Sequence, residues 1–318
     1  MTDNYLALLG AVAPVFVIVL AGYLIRRVGW LTETADTSLM RVIVNLLFPC
    51  LILDTILGNP ALSQPGNILL APAVGFGTVV LGFAASYFAA PLFGVRDVRA
   101  RRTFAFTVGL YNYGYIALPL VQQLFPGPTA GILFVHNLGV ETAMWTVGLA
   151  VLSGGATAPG GSRWRRVFNA PVIAILTAVA LHFAQARTWL PDVVLTAIHS
   201  VGAAAIPMGL ILTGATFCDQ VPHLVWKRSA ADTAGACVLR LLLLPICFLA
   251  LARWLPCPIE LRQVIVVQAA MPCAVIPVLI AKHYGGEPAL ALRIILATSV
   301  LGLLTIPLWI QIGLKWIQ

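Results

Sequence analysis

The sequence predicts an all-α integral membrane protein of ten transmembrane helices, built as two inverted five-helix repeats with broken crossing helices four and nine. Three observations predict it: a composition that no water-soluble surface can accommodate, ten apolar runs of spanning length, and a one-sided distribution of basic residues. The 318 residues are 60% hydrophobic and 9% charged, where soluble domains are about 45–50% apolar and about 25% charged. With a mean hydropathy of +0.96, the excess apolar surface has to face lipid.

Each run can cross about 30 Å of hydrocarbon at about 1.5 Å per residue. The first, 6–25, has Asp3 before it and Arg26 and Arg27 after it. That is the reverse of a cleaved signal peptide, so the run reads as a retained helix with its N-terminus outside. The second, 36–57, carries Asn45 and Pro49, and the third is 68–93. The fourth, 103–125, holds Asn112, Tyr113 and Gly114 ahead of Pro119; the fifth, 130–152, holds His136, Asn137 and Glu141. The stretch 153–166, rich in Gly, Pro and Ser and ending in RWRR, divides residues 1–158 from 159–318. The second half supplies runs at 167–186, whose strongly apolar centre is short, then 193–217, 230–252, 264–281 and 289–312.

The basic residues set the orientation, because Lys and Arg collect on the cytoplasmic side. Placing the N-terminus outside puts twelve of the nineteen in inner loops, from Arg26 and Arg27 through Arg99, Arg165 and Lys227 to Lys282. Only Arg187, Arg253, Arg262 and Lys315 fall outside, and Arg41, Arg240 and Arg293 lie within helices. The expectation is a multi-pass protein of the cell (cytoplasmic or inner) membrane with both termini outside. The net charge of +8 belongs to these short loop clusters, not to a nucleic-acid surface. The six cysteines are scattered without metal-ligand spacing, so neither a metal nor another cofactor is expected.

Five crossings per half make the second half an upside-down copy of the first, if the halves are copies. At an offset of 158, Pro49 falls on Pro207, Thr55 on Thr213, Pro119 on Pro277 and Gly127 on Gly285. Helix four reads as interrupted around Asn112, Tyr113 and Gly114, and helix nine carries Gln268, Pro272 and Pro277 at matching depth. Proline removes a backbone donor, and freed backbone groups at membrane depth need protein, water or ligand partners. Two interrupted helices in matching positions point to the substrate site of a secondary transporter.

The segments YNYGYIALPL, MPCAVIPVLIAKHYGG, NLLFPCLIL and LRLLLLPICF resemble the auxin efflux carrier family, and the likeness covers essentially the whole chain. That resemblance implies a ten-helix inverted-repeat fold whose helices four and nine cross at mid-membrane and move in an elevator-like transition. It implies that Asn112 matches the crossover asparagine that helps hold a substrate carboxylate. Tyr113 departs from the small residue usual at the next position.

The expected substrate-binding set is Asn112, Tyr113, Gly114, Asn45, Asn137, Gln268 and Pro272, with Pro119 and Pro277 as helix breakers. Ionisable groups inside membrane helices default to functional hypotheses. Glu141 is open to a coupling or substrate-orienting role or to a structural one. Arg240 is open to balancing an anion, to pairing with Asp232, or to snorkelling; Asn45 is open to an interhelical hydrogen bond. Asp54 reads as reaching the interface and His199 as a packing histidine.

The leading function is a carrier of a small organic anion such as a mono- or dicarboxylate. A coupled proton or sodium ion and a homodimer are left open. The alternative within transport is a cation or proton antiporter of similar shape, which would be expected to carry paired acids at the crossover. A third class, an intramembrane enzyme, lacks HExxH, GxSxG or an Asp-rich metal motif here.

Overall fold

The computed structural model describes residues 5–154, 167–223 and 230–317. Among them every regular element is helical, and the one β-type pairing is an isolated antiparallel bridge between Tyr111 and Cys273. The first half contains α1 (Tyr5–Arg27), α2 (Glu33–Ile56), α3 (Pro65–Phe93), α4 (Val98–Gly109), α5 (Ala117–Leu124) and α6 (Thr129–Ser153). The second contains α7 (Ala170–Phe183), α8 (Asp192–Gln220), α9 (Ala230–Trp254), α10 (Ile259–Ala270), α11 (Pro277–His283) and α12 (Pro288–Ile317). Seven of these, α1, α2, α3, α6, α8, α9 and α12, are long and apolar enough to cross a membrane. The run expected at 167–186 yields only the 14 residues of α7, about 21 Å at helical rise.

The runs expected at 103–125 and 264–281 are not continuous. Each divides into two helices around an unwound stretch, 110–116 and 271–276. The linker at 153–166, with Arg163, Arg165 and Arg166, lies outside the described residues from 155 onward. Lys227, Arg228 and the boundary between 158 and 159 lie outside them too.

Two bodies emerge from the packing. In one, α1 lies along α8 while α2 packs on α7 and α8; in the other, α3 lies along α4 and α6, and α10 sits among α6, α9 and α12. Glycines permit the closest approaches. A Cβ at Gly22 would strike the Ile211 backbone, and one at Gly214 the Val19 carbonyl; across α3 and α6, Gly139 and Gly75 meet backbone of Pro72 and His136 in the same way. In lipid, helices associate through such close van der Waals contact, because hydrocarbon tails are as apolar as the side chains.

Polar groups pin the helix ends. Arg26, buried at the end of α1, bonds Asp36 of α2 and lies 3.3 Å from Asp219 of α8. Arg99 donates to the Gly286 carbonyl at 2.7 Å, and the Glu287 N–H donates to Thr103 Oγ1 at 2.9 Å. Elsewhere Asn59 donates to the Pro128 carbonyl at 2.8 Å and Asn67 to Glu260 at 3.2 Å. Asp54 and His199, read separately from the sequence, are an exposed pair at 3.0 Å joining α2 to α8.

Candidate functional site

The two unwound stretches meet in the interior. The Asn112 N–H donates to the Pro272 carbonyl at 2.8 Å, and the Ala274 N–H donates to the Leu110 carbonyl at 2.9 Å. Each break therefore satisfies part of the other's backbone, which hydrocarbon would not. The expected helix breakers act differently from a kink inside a helix. Pro119 lies in the first turn of α5 and Pro277 opens α11. There the missing N–H would have no intrahelical acceptor anyway. Gly114 has room for a side chain and no left-handed backbone, so its glycine is not forced by backbone geometry.

One side of this crossover is open. A cavity of ≈ 240 Å³ lies between the crossover and α1, α8 and α12, with Asn112, Tyr115, Tyr23, Thr213 and Ser299 as its polar lining and no charged side chain. Asn112 is buried, and its Oδ1 accepts from the Ile116 N–H at 3.2 Å at the entry to α5. That bond leaves the amide N–H₂ for whatever occupies the cavity. The α5 N-terminus adds the positive end of a helix dipole nearby, although the Leu118 N–H is taken by the Gly114 carbonyl and Pro119 has none.

The other side is filled. Tyr113 turns away from the cavity, and its hydroxyl donates to Glu141 Oε1 at 2.7 Å. Glu141 Oε2 accepts from Trp145 Nε1 and from Asn169 Nδ2, both at 2.9 Å. Asn137 donates to the Tyr113 carbonyl at 2.9 Å, and Gln268 to the same carbonyl at 3.3 Å. Thus Tyr113, Asn137, Glu141 and Gln268 belong to one buried network, while Asn112 serves the cavity across the same backbone.

Arg240 is fully buried on a π-turn of α9, Leu239–Leu243, just before Pro245. Its Nε donates to the Met271 carbonyl at 2.9 Å, and its Nη2 to the Gln268 and Ala269 carbonyls at 3.3 Å each. The expected alternative of a pair with Asp232 is corrected: that carboxylate holds Arg293 at 2.9 Å. Snorkelling is excluded by complete burial.

Asn45 is also corrected. It is exposed on α2, and its amide donates to the Arg41 carbonyl of its own helix at 2.9 Å. It reaches neither the cavity nor a neighbouring helix, because the α2 face that packs carries Ile43, Leu47 and Leu51 instead. The sequence reading missed Trp145, Asn169, Tyr115, Thr213 and Ser299. Asn169 alone offered a local signal, as an Asn two residues before Pro171 near the start of the 167–186 run, and it does cap α7 by accepting from the Val172 N–H at 3.0 Å.

Known proteins align along nearly the whole chain. The family described as membrane transport protein matches residues 7–157 and 161–310. An uncharacterized transporter of Methanothermobacter thermautotrophicus is 27% identical over 304 residues, 94% of this chain and 96% of that protein. An uncharacterized transporter of Methanocaldococcus jannaschii is 21% identical over 298 residues, 93% and 95% of the two chains. Together with seven apolar helices of spanning length, these matches make this a multi-pass membrane protein of a transporter class. The chain belongs to the membrane transport protein family, the auxin efflux carrier family that its crossover segments resemble.

Proposed function

We propose that the protein is a secondary carrier that moves a small organic anion, a mono- or dicarboxylate, across the cell membrane and receives it in the cavity beside the crossover. The observation that carries this reading is the meeting of two interrupted helices, bonded to each other through Asn112 and Pro272, against a cavity whose polar lining is neutral. A carboxylate leaving water needs fixed donors, and the Asn112 amide supplies them beside the positive end of the α5 dipole, without a charge that would trap the ligand. Broken helices at a repeat interface are the usual binding device of secondary transporters.

The same reading includes ten crossings in two inverted repeats. Counting each broken pair as one crossing and α7 as another gives ten, and the two matched family segments fall on the two halves. The distribution of basic residues supports both termini outside. Of the roles open to Glu141, three donors converging on its carboxylate favour orientation of Tyr113 over carriage of a proton. A cation antiporter is disfavoured because neither 110–116 nor 271–276 contains Asp or Glu. An intramembrane enzyme finds no support in a family of membrane transporters.

The test is carboxylate binding to purified protein in parallel for Asn112→Ala and Asn45→Ala. Loss of a hydrogen bond to a charged group, about 1–3 kcal/mol, should weaken Asn112→Ala by roughly 5- to 150-fold. Asn45→Ala should bind as the parent does. Unchanged affinity in Asn112→Ala would remove the site from the crossover.

A further inference from the structure

We infer that Arg240 is a tethered cation, held where the broken end of α10 would otherwise take a coupling sodium ion, so that this carrier works without sodium. The inference deepens the carrier reading above and rests on it.

A helix that stops inside a membrane leaves its last carbonyls without intrahelical donors and presents the negative end of its dipole. Water is absent there, so something else has to satisfy them. In secondary transporters with discontinuous helices, such carbonyls and the neighbouring unwound backbone coordinate the coupling cation. The carbonyls of Gln268, Ala269 and Met271, at the end of α10 and just beyond it, all accept from Arg240, and that of Gln268 also accepts from the Met271 N–H at 3.3 Å. Two further crossover carbonyls are engaged by backbone: Pro272 by the Asn112 N–H and Leu110 by the Ala274 N–H.

The charge of Arg240 is met as a bound metal cation's would be. Its guanidinium carbon lies 5.2 Å from the Tyr111 ring centre and 5.3 Å from that of Phe248, within reach of the ring quadrupoles. Among the described residues no carboxylate pairs with it, since Asp232 holds Arg293 and Glu141 faces Tyr113. Carbonyl dipoles and aromatic faces are therefore its counterweight among the described residues, and its Nη1 is buried with no hydrogen-bond partner there. Because the cation is covalently attached, it travels with the protein in both directions.

The test compares thermal unfolding of the purified wild type, Arg240→Met and Arg240→Lys in sodium chloride and in choline chloride at equal ionic strength, with no substrate present. Wild type and Arg240→Lys should melt at the same temperature in both salts. Arg240→Met should melt lower in choline and recover saturably with sodium, by about 3 °C or more once sodium is well above its Kd. Saturable sodium stabilisation of the wild type would overturn the proposal, and so would a folded Arg240→Met that ignores sodium. If Arg240→Met folds only when prepared in sodium, the proposal stands; if it fails in both salts while Arg240→Lys folds, the carbonyls do not form a cation site and the proposal falls. A wild type that binds no carboxylate would defeat the carrier reading and leave this sodium result intact.

Discussion

The two faces of the crossover share a backbone and differ in what they have been built to do. Toward α6 and α7, one carboxylate gathers three donors from Tyr113, Trp145 and Asn169, and Asn137 and Gln268 close on the Tyr113 carbonyl. Toward α1, α8 and α12, Asn112 borders a cavity whose other polar groups are hydroxyls. A buried polar network in which one carboxylate meets three donors favours one arrangement, whereas an amide with donors to spare beside open volume is a place for a guest. On the proposed reading, adjacent residues of one interrupted helix divide the work, Tyr113 holding the break in place and Asn112 meeting the ligand.

Substitutions on the filled face should cost stability and those on the open face affinity, which gives the comparison an order of effects. The largest is expected for Glu141→Ala. Three buried donors lose their acceptor together, and unfolding of the purified protein should show a loss of roughly 2–5 kcal/mol. A loss below about 0.5 kcal/mol, within the range of ordinary surface changes, would mean that the filled face is not a structural unit.

Tyr113→Phe should come next, at about 1–3 kcal/mol of stability, because it removes one hydrogen bond of a buried carboxyl group and leaves Glu141 two donors. Carboxylate affinity should not change. If affinity falls with stability, the faces are coupled through the backbone and the division of labour is wrong. The smallest effect belongs to Ser299→Ala on the cavity wall. Its expected cost is about 0.5–1.5 kcal/mol in binding, or roughly 2- to 10-fold, with melting unaltered; isothermal titration of the variant decides it.

Much of the fold was legible because its determinants are local. Lengths of apolar run, the basic clusters at their ends and the coincidence of Asn112, Tyr113 and Gly114 with Pro119 can each be read along a single segment. The site was legible only where the break itself marked it. Asn112 and Gln268, both singled out in the sequence, stand in or beside the unwound stretches. Asn45, four residues before Pro49, looked equivalent in sequence and lies exposed on α2. Asn169 and Trp145 gave no comparable mark, yet they complete the shell of Glu141. Asp232, eight residues before Arg240 on the same helix, looked like its partner, but the two sides of α9 face different neighbours: α10 receives Arg240 and α12 supplies Arg293.

By itself, then, the sequence determined that this chain enters a membrane, where its helices run and where two of them stop. The tertiary structure decided which side of each helix meets protein and which meets lipid. In water that choice leaves an amphipathic stripe to read. In a bilayer, lipid and protein interior are equally apolar, so a helix such as α8 can expose Val193 while burying Leu210 and Leu212 with nothing in its periodicity to tell them apart.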